Sequence, residues 1–413
     1  MESLAPRETA AAVVFALTYV VLGFGSLPPL RVDRTGATLI GATVMVGLGV
    51  LTPREAAAAI DVPTLALLLG TMIVVAHLRM AGFFGWLGAR ALRAAHAPRT
   101  LLVMVVALSG VLSALFVNDT VCLLLTPVVL ETTLALGLPP VPYLLAVAMG
   151  SNVGGVATIV GNPQNMIVTG HSGIPYARFA AHLAPVAAGG LAVVAAALLV
   201  VFRRDLARGR VQSPSPPAGP VDRPLMAKAL IVSGGLLAAL LAGAPPGLAA
   251  LLAASALLIT RRVDPARVYA HVDWSLLLLF AGLFVVVEGV ERTGLPAHGL
   301  ATLGAGAHAS LPAFVAATAA LSNLVSNVPA VLLLRGWVAA FESPERAWLA
   351  LAMASTLAGN LTLVGSIANL IVVEQARGRA PIGFWAYARV GVPVTLLTLA
   401  LGTAWLSWTG PRG

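Results

Sequence analysis

Long apolar runs fill most of the chain, and short polar clusters set their boundaries. A spanning helix needs about 20 mostly apolar residues. Clean runs lie near residues 10–28, 36–52, 61–78, 179–202, 227–243, 246–260, 274–290 and 382–408. Four further stretches, near 100–135, 142–170, 309–341 and 346–375, are apolar overall but carry Asn, Ser, Thr, Gly or Pro in mid-run. The pattern predicts an all-α polytopic membrane protein. Glu2 and Glu8 flank Arg7, so no basic region precedes the first run, which reads as a span and not as a cleaved signal peptide.

Composition points the same way. Hydrophobic residues make up 59% of 413 and charged residues 10%, against roughly 25% charged in a soluble protein. That is too little charge to cover a water-facing surface of this size, and the mean hydropathy is +0.93. The single cysteine, Cys122, excludes a disulfide scaffold. A net charge of +9 does not signal nucleic-acid binding, because the charges sit in clusters between apolar runs, as topology signals do.

Those clusters orient the chain. If 100–135 and 309–341 are re-entrant hairpins and the N-terminus is outside, ten crossings remain, five in each half. The inside loops are then 29–35, 79–99, 136–141, 203–226, 261–273 and 376–381. With Lys228 they hold 17 of the 25 basic residues, against seven outside. The expectation is a multi-pass protein of the inner (plasma) membrane with both termini outside.

Residues 203–226 are basic, then rich in Ser, Pro and Gly, and read as a cytoplasmic linker between an N-terminal repeat, 1–202, and a C-terminal repeat, 227–413. GSNVGGVATIVGNPQNMIV at 150–168 aligns without gaps on ASTLAGNLTLVGSIANLIV at 354–372, pairing Gly155 with Gly359, Thr158 with Thr362, Gly161 with Gly365 and Asn165 with Asn369. Upstream, FVNDTVCLLL at 116–125 corresponds to LVSNVPAVLLL at 324–334. Five crossings per half make the repeat inverted, an architecture that places a site at the midplane between repeats. Each repeat is expected to hold five spanning helices, one of them broken, and one hairpin.

Non-helical backbone at membrane depth survives only when buried in protein or lining a wet cavity. Four interruptions therefore become candidate site segments. They are Asn118-Asp119-Thr120, Ser151 to Asn165, Ser322 to Pro329, and Gly359 to Asn369. The candidate binding residues are Asn118, Asp119, Thr120, Asn152, Gly161, Asn162 and Asn165 in the first half. In the second they are Ser326, Asn327, Gly365, Ser366 and Asn369. Gly permits close approach, and Asn, Ser and Thr either bind a ligand or cap broken helix ends. Helix N-termini facing a cavity favour anions or polar oxygens, whereas exposed carbonyls favour cations.

Asp119 is the sharpest of these, because an intramembrane carboxylate is costly and is a functional hypothesis by default. It could carry a proton, bind a cation, or accept from hairpin-tip N–H groups. Its counterpart in the second half is Asn327, which suits one ionisable coupling site. Glu131 is a weaker proton-path candidate. Glu288 reads as a helix pair with Arg292, Glu374 as a solvated helix end, and Cys122 as packed. The histidines show no metal-ligand spacing, so no metal or other cofactor is expected. The sequence has no P-loop, H-E-x-x-H or G-x-S-x-G motif, which weakens an intramembrane enzyme. Transport is then driven by a gradient or by a separate ATPase subunit.

FVNDTVCLLLTPVVL followed by GSNVGGVATIVGNPQN resembles the ion-transporter superfamily. This group contains ArsB-type arsenite and antimonite efflux permeases, plant silicon-efflux transporters, sodium/proton antiporters and dicarboxylate/sodium symporters. The resemblance spans nearly the whole chain, and NDT with GNPQN is most similar to the arsenite/silicon-efflux branch. It implies two re-entrant hairpins and two broken helices around one site. It places binding at Asn118 to Thr120, Gly161 to Asn165, Ser326 and Asn327, and Gly365 to Asn369. The hairpin tips depart from the Ser-Asn-Thr of the dicarboxylate branch, and a carboxylate there should repel a dianion. The implied function is export of a small neutral inorganic oxyacid, arsenite, antimonite or silicic acid, in exchange for protons at Asp119. The alternatives on the same fold are a sodium/proton antiporter and a sodium-coupled anion symporter. The bilayer and the substrate are the expected partners, nucleic acid is not, and a homodimer remains open.

Overall fold

The computed structural model describes residues 6–24, 26–27, 32–93, 97–207, 220–259, 262–294 and 310–409. The chain ends and residues 208–219 of the linker fall outside these, so the side on which each end lies is not read from them. The first half runs α1 (Pro6–Phe24), α2 (Arg34–Gly47), α3 (Pro53–Ala59), α4 (Val62–Met80) and α5 (Phe83–Arg93). A hairpin of α6 (Pro98–Leu115) and α7 (Asn118–Ala135) follows, then a broken helix, α8 (Val141–Gly155) and α9 (Pro163–Ser172), and α10 (Tyr176–Val201). The second half repeats the order: α11 (Arg223–Leu241), α12 (Pro246–Leu258), α13 (Pro265–Tyr269) and α14 (Trp274–Glu291). Its hairpin is α15 (Leu311–Val325) with α16 (Asn327–Leu334), its broken helix α17 (Pro344–Ala358) with α18 (Ile367–Ala376), and its last helix α19 (Phe384–Thr409). Among the described residues the sole strand pairing is a two-residue contact, Ser26–Leu27 with Val32–Asp33.

Side chains fix the helix starts. Asp61 accepts from the Thr64 N–H at 3.1 Å to begin α4, and Asp273 accepts from the Leu276 N–H at 2.9 Å to begin α14. Thr52 and Glu55 cap α3 reciprocally. The helices α2 and α12 are shorter than the runs at 36–52 and 246–260 suggest, with 14 and 13 residues. Gly49, at φ 69°, and the following Thr52-Pro53 stop helical growth after α2. At 1.5 Å per residue each helix is about 20 Å long, short of the roughly 30 Å hydrocarbon core. Six other helices are long and apolar enough to cross. One of them, α6, nevertheless turns back at Phe116, so length alone would misread it.

The two halves pack by exchange of partners. Helix α2 lies along α14 and α4 along α12; α8 meets α18 and α9 meets α17; α10 pairs with α19. Individual residues repeat the exchange. A Cβ placed on Gly70 of α4 would stand 2.5 Å from the Ala250 backbone of α12, and one on Gly282 of α14 would stand 2.8 Å from the Thr38 backbone of α2. Gly282 follows Gly70 by 212 residues, and Ala250 follows Thr38 by the same 212. The same offset relates Gly247, against the Pro63 carbonyl, to Thr35, whose hydroxyl donates to the Ser275 carbonyl at 3.2 Å. A two-fold axis between the halves produces this reciprocity. With the five crossings per half that the sequence predicts, that axis lies in the membrane plane and the repeats are inverted. Lipid tails supply no hydrophobic drive for helix association, so close backbone approach at small residues has to hold these pairs together.

The broken helices occupy the centre. Every residue of α8 from Pro142 to Gly155 is buried, as are most of those of α17. Such helices, apolar all round apart from a few Asn, Ser and Thr, belong inside a bundle. They bring their polar breaks together inside the bundle, where the hairpin tips also end.

Candidate substrate site between the hairpin tips

Four helices begin at the centre. The chain is extended at Phe116, with φ −138° and ψ 159°, and α7 starts two residues later at Asn118. Pro163 opens α9, where its missing N–H costs nothing. Ser326 turns the second hairpin into α16 at φ 77°, the one positive φ outside glycine among the described residues. Ser366 opens α18 and accepts from the Ala368 N–H at 3.2 Å. A non-glycine residue held in the left-handed region is strained, and such strain concentrates at ligand clamps.

A cavity of about 50 Å³ lies where these starts converge. Its polar wall is Asn118 and Asp119 from α7, Gln164 from α9, Ser326 and Asn327 at the second tip, and Ser366 at α18. Pro163, Val328, Pro329 and Ile367 complete the four helix starts, and Leu22, Arg34, Leu276, Leu279 and Phe280 close the remaining side. The space suits a few water molecules or a small inorganic acid. Each helix N-terminus carries about half a positive charge and free N–H groups. Four of them around one space stabilise a ligand rich in oxygen.

A hydrogen-bond network behind the cavity holds the four breaks in register. The Asn152 carbonyl accepts from the Asn118 amide at 3.0 Å and from the Ser366 hydroxyl at 3.1 Å. Its amide donates to Asn360 at 2.9 Å and to Asn369 at 3.1 Å. Gln164 donates to the Thr356 hydroxyl at 2.9 Å. Asn165 spans its own break by donating to the Gly155 and Thr158 carbonyls at 2.9 and 2.8 Å. Asn369 does the same with Gly359 and Thr362 at 2.7 and 3.2 Å. The repeat thus conserves a device: one asparagine per half satisfies the carbonyls orphaned where a helix stops.

The candidate residues therefore divide. Asn118, Asp119, Ser326, Asn327 and Ser366 line the cavity. Asn152, Asn165 and Asn369 are buried behind it and tie the breaks together. Gly161 and Gly365 let each break fold back onto its preceding helix end, since a Cβ on either would press on the Gly155 or the Gly359 carbonyl. Asn162 is fully buried beside Gly155, and its amide finds no protein partner. Thr120 is half-buried and is not part of the cavity wall. Sequence reasoning missed Arg34 and the apolar wall of Leu22, Leu276, Leu279 and Phe280. Arg34 registered only as one loop charge among many, and the apolar residues are indistinguishable from lipid-facing ones by pattern.

Asp119 is half-buried on the cavity wall. Glu131 is exposed and paired with Arg379, away from the cavity. Glu288 accepts from Arg292 at 2.7 Å, one turn away, and Glu374 pairs with Arg377 at the surface. Cys122 is buried, with its sulfur 2.9 Å from the Ser151 hydroxyl. No cluster able to hold a metal ion occurs among the described residues.

Inverted repeats, paired hairpins and a polar cavity at their tips define a secondary transporter. The model of the CitMHS family, described as citrate transporter, matches residues 13–344, and the chain belongs to that family. The silicon efflux transporter LSI3 of Oryza sativa subsp. japonica is 33% identical, over 96% of this chain and 97% of that one. A putative transporter arsB of Dictyostelium discoideum is 26% identical, over 97% and 92%. Among solved structures, the YdaH transporter of Alcanivorax borkumensis aligns over 99% of this chain and all of that one. Its TM-score is 0.58 at 16% identity, a likeness of fold. The resemblance read from the NDT and GNPQN segments is borne out, and the chain is a transporter and not an enzyme.

Proposed function

We propose that this protein exports a small oxyacid of the arsenite or silicic acid kind in exchange for protons, with Asp119 as the proton-carrying group. The observation that carries this reading is the convergence of four helix N-termini on a cavity lined by Asn118, Ser326, Asn327 and Ser366, with Asp119 as its one carboxylate. N-termini and amide donors suit hydroxyl and oxyanion oxygens, whereas a sodium site needs carbonyl and carboxylate oxygens pointing inward. A carboxylate that must be neutral to cross and ionised to release its proton supplies the exchange. The silicon efflux activity in the name of LSI3 agrees with this substrate class.

The family's description as citrate transporters favours a second reading, in which the same N-termini hold an organic carboxylate moved together with a cation. Counterflow in proteoliposomes separates the two. Arsenite or silicic acid should exchange and respond to an imposed pH gradient, and citrate and sodium should not. Saturable citrate movement driven by sodium, with no arsenite or silicic acid exchange, would overturn the first reading.

A further inference from the structure

The pseudo-two-fold axis exposes an asymmetry of charge. Arg34 opens α2 and lines the cavity beside the hairpin tips. Its counterpart, 212 residues later, is Pro246, which opens α12 and lines a separate cavity of about 390 Å³ with Thr64 and Leu67, the counterparts of Leu276 and Leu279. A cation stands at one position and a proline at the other, and the cavity at Pro246 includes none of the hairpin-tip residues. Arg34 sits on the face that the basic loops mark as cytoplasmic.

The Arg34 side chain is half-buried. Its Nε donates to the Leu22 carbonyl at 3.1 Å, which fixes the plane of the guanidinium. Among the described residues no carboxylate pairs with it. The remaining four N–H donors form a fork, the geometry that matches two oxygens of one acid. A half-buried guanidinium without a carboxylate, on the wall of a cavity already made positive by helix ends, has an oxygen-rich ligand as its complement.

We propose that Arg34 is a substrate-binding residue that captures the oxygens of the transported acid from the cytoplasmic side. This deepens the oxyacid reading and rests on it. The missing counterpart at Pro246 makes capture one-sided: the acid is held more tightly where it is loaded than where it is released.

The test measures uptake into everted membrane vesicles, which present the cytoplasmic face, across a range of arsenite and silicic acid concentrations at matched protein level. Arg34→Gln should raise KM about tenfold or more, the loss of a charge-assisted hydrogen-bond pair. Arg34→Lys, which keeps the charge but not the fork, should fall between it and the wild type. An unchanged KM in Arg34→Gln with only a lower maximal rate would overturn the proposal. Should Arg34→Gln fail to accumulate, Arg34→Lys decides, with a KM raised severalfold in favour and a wild-type KM against. The wild-type vesicles test the oxyacid reading separately. If they carry only citrate, that reading fails and the Arg34 comparison is made on citrate; if they carry only a cation, both fall.

Discussion

The side-chain amide of Asn152, near the end of one broken helix, donates to the side-chain carbonyl of Asn360 in the break of the other at 2.9 Å. This contact, with those to Asn118, Ser366 and Asn369, makes Asn152 the point through which the first hairpin tip and the second break hold each other. Asn152→Leu would leave four buried polar groups without their partner, each at about 1–3 kcal/mol. The expected outcome is a strong fall in melting temperature or in the yield of monodisperse protein. Asn152→Asp keeps the acceptor and loses the donors, and should fall less. A melting temperature within error of the wild type in Asn152→Leu would remove the residue from this role.

Asp119 separates coupling from binding. Asp119→Asn keeps size and an acceptor but cannot titrate. Transport driven by a pH gradient should be abolished, while substrate-for-substrate exchange persists at least in part. If the loss follows a sodium gradient instead, Asp119 is a cation ligand. Normal proton-driven transport in the variant would end the coupling role.

The reciprocal glycines make a paired prediction. Gly70→Ala and Gly282→Ala each force a methyl group against the backbone of the facing helix, at Ala250 and Thr38. Overpacking of this kind costs about 1–3 kcal/mol. Because the sites are equivalent under the pseudo-symmetry, the two variants should lose similar thermal stability in detergent. A large loss in one and none in the other would contradict the exchange of partners.

The short loop helix α3 carries a pH-dependent contact. Bonds from the Thr52 backbone and hydroxyl, and then from Arg292, hold the Glu55 carboxyl down to about 2, from an ordinary 4.5. A depressed value in the folded state stabilises above the ordinary one, so the contribution is complete above about pH 4.5 and fades as pH falls toward 2. Melting temperature should therefore drop more across that window in the wild type than in Glu55→Gln. Parallel curves for the two proteins would show that the contact adds nothing.

Much of this was legible in the sequence, for identifiable reasons. The hairpins and breaks announced themselves because Asn, Pro and Gly are out of place in lipid, and Asp119 because a carboxylate there is conspicuous. The split between lining residues and hidden ties was not legible. Asn118 and Asn152 are the same residue type in similar company, and only the fold places one on the cavity and the other behind it. Arg34 was invisible for the opposite reason: a basic residue in a loop looks like a topology signal until α2 swings its side chain onto the cavity wall. The shortness of α2 and α12 was also missed, because hydropathy continues past the Gly and Pro residues that bound the helices.

The partner exchange of α2 with α14 and α4 with α12 bears on biogenesis. The faces of α2 and α4 that carry these contacts are lent to the other half, whereas α6, α7, α8 and α10 pack on one another within the first. As the chain leaves the ribosome, α2 and α4 enter the bilayer some 200 residues before their mates have been synthesised. The first half must wait in the membrane with α2 and the Gly70 face of α4 against lipid until the second arrives. Truncation after the linker should therefore yield an unfinished assembly open to membrane proteases and not a half-transporter. Expressing the two halves as separate chains should restore a folded protein only when both are made together.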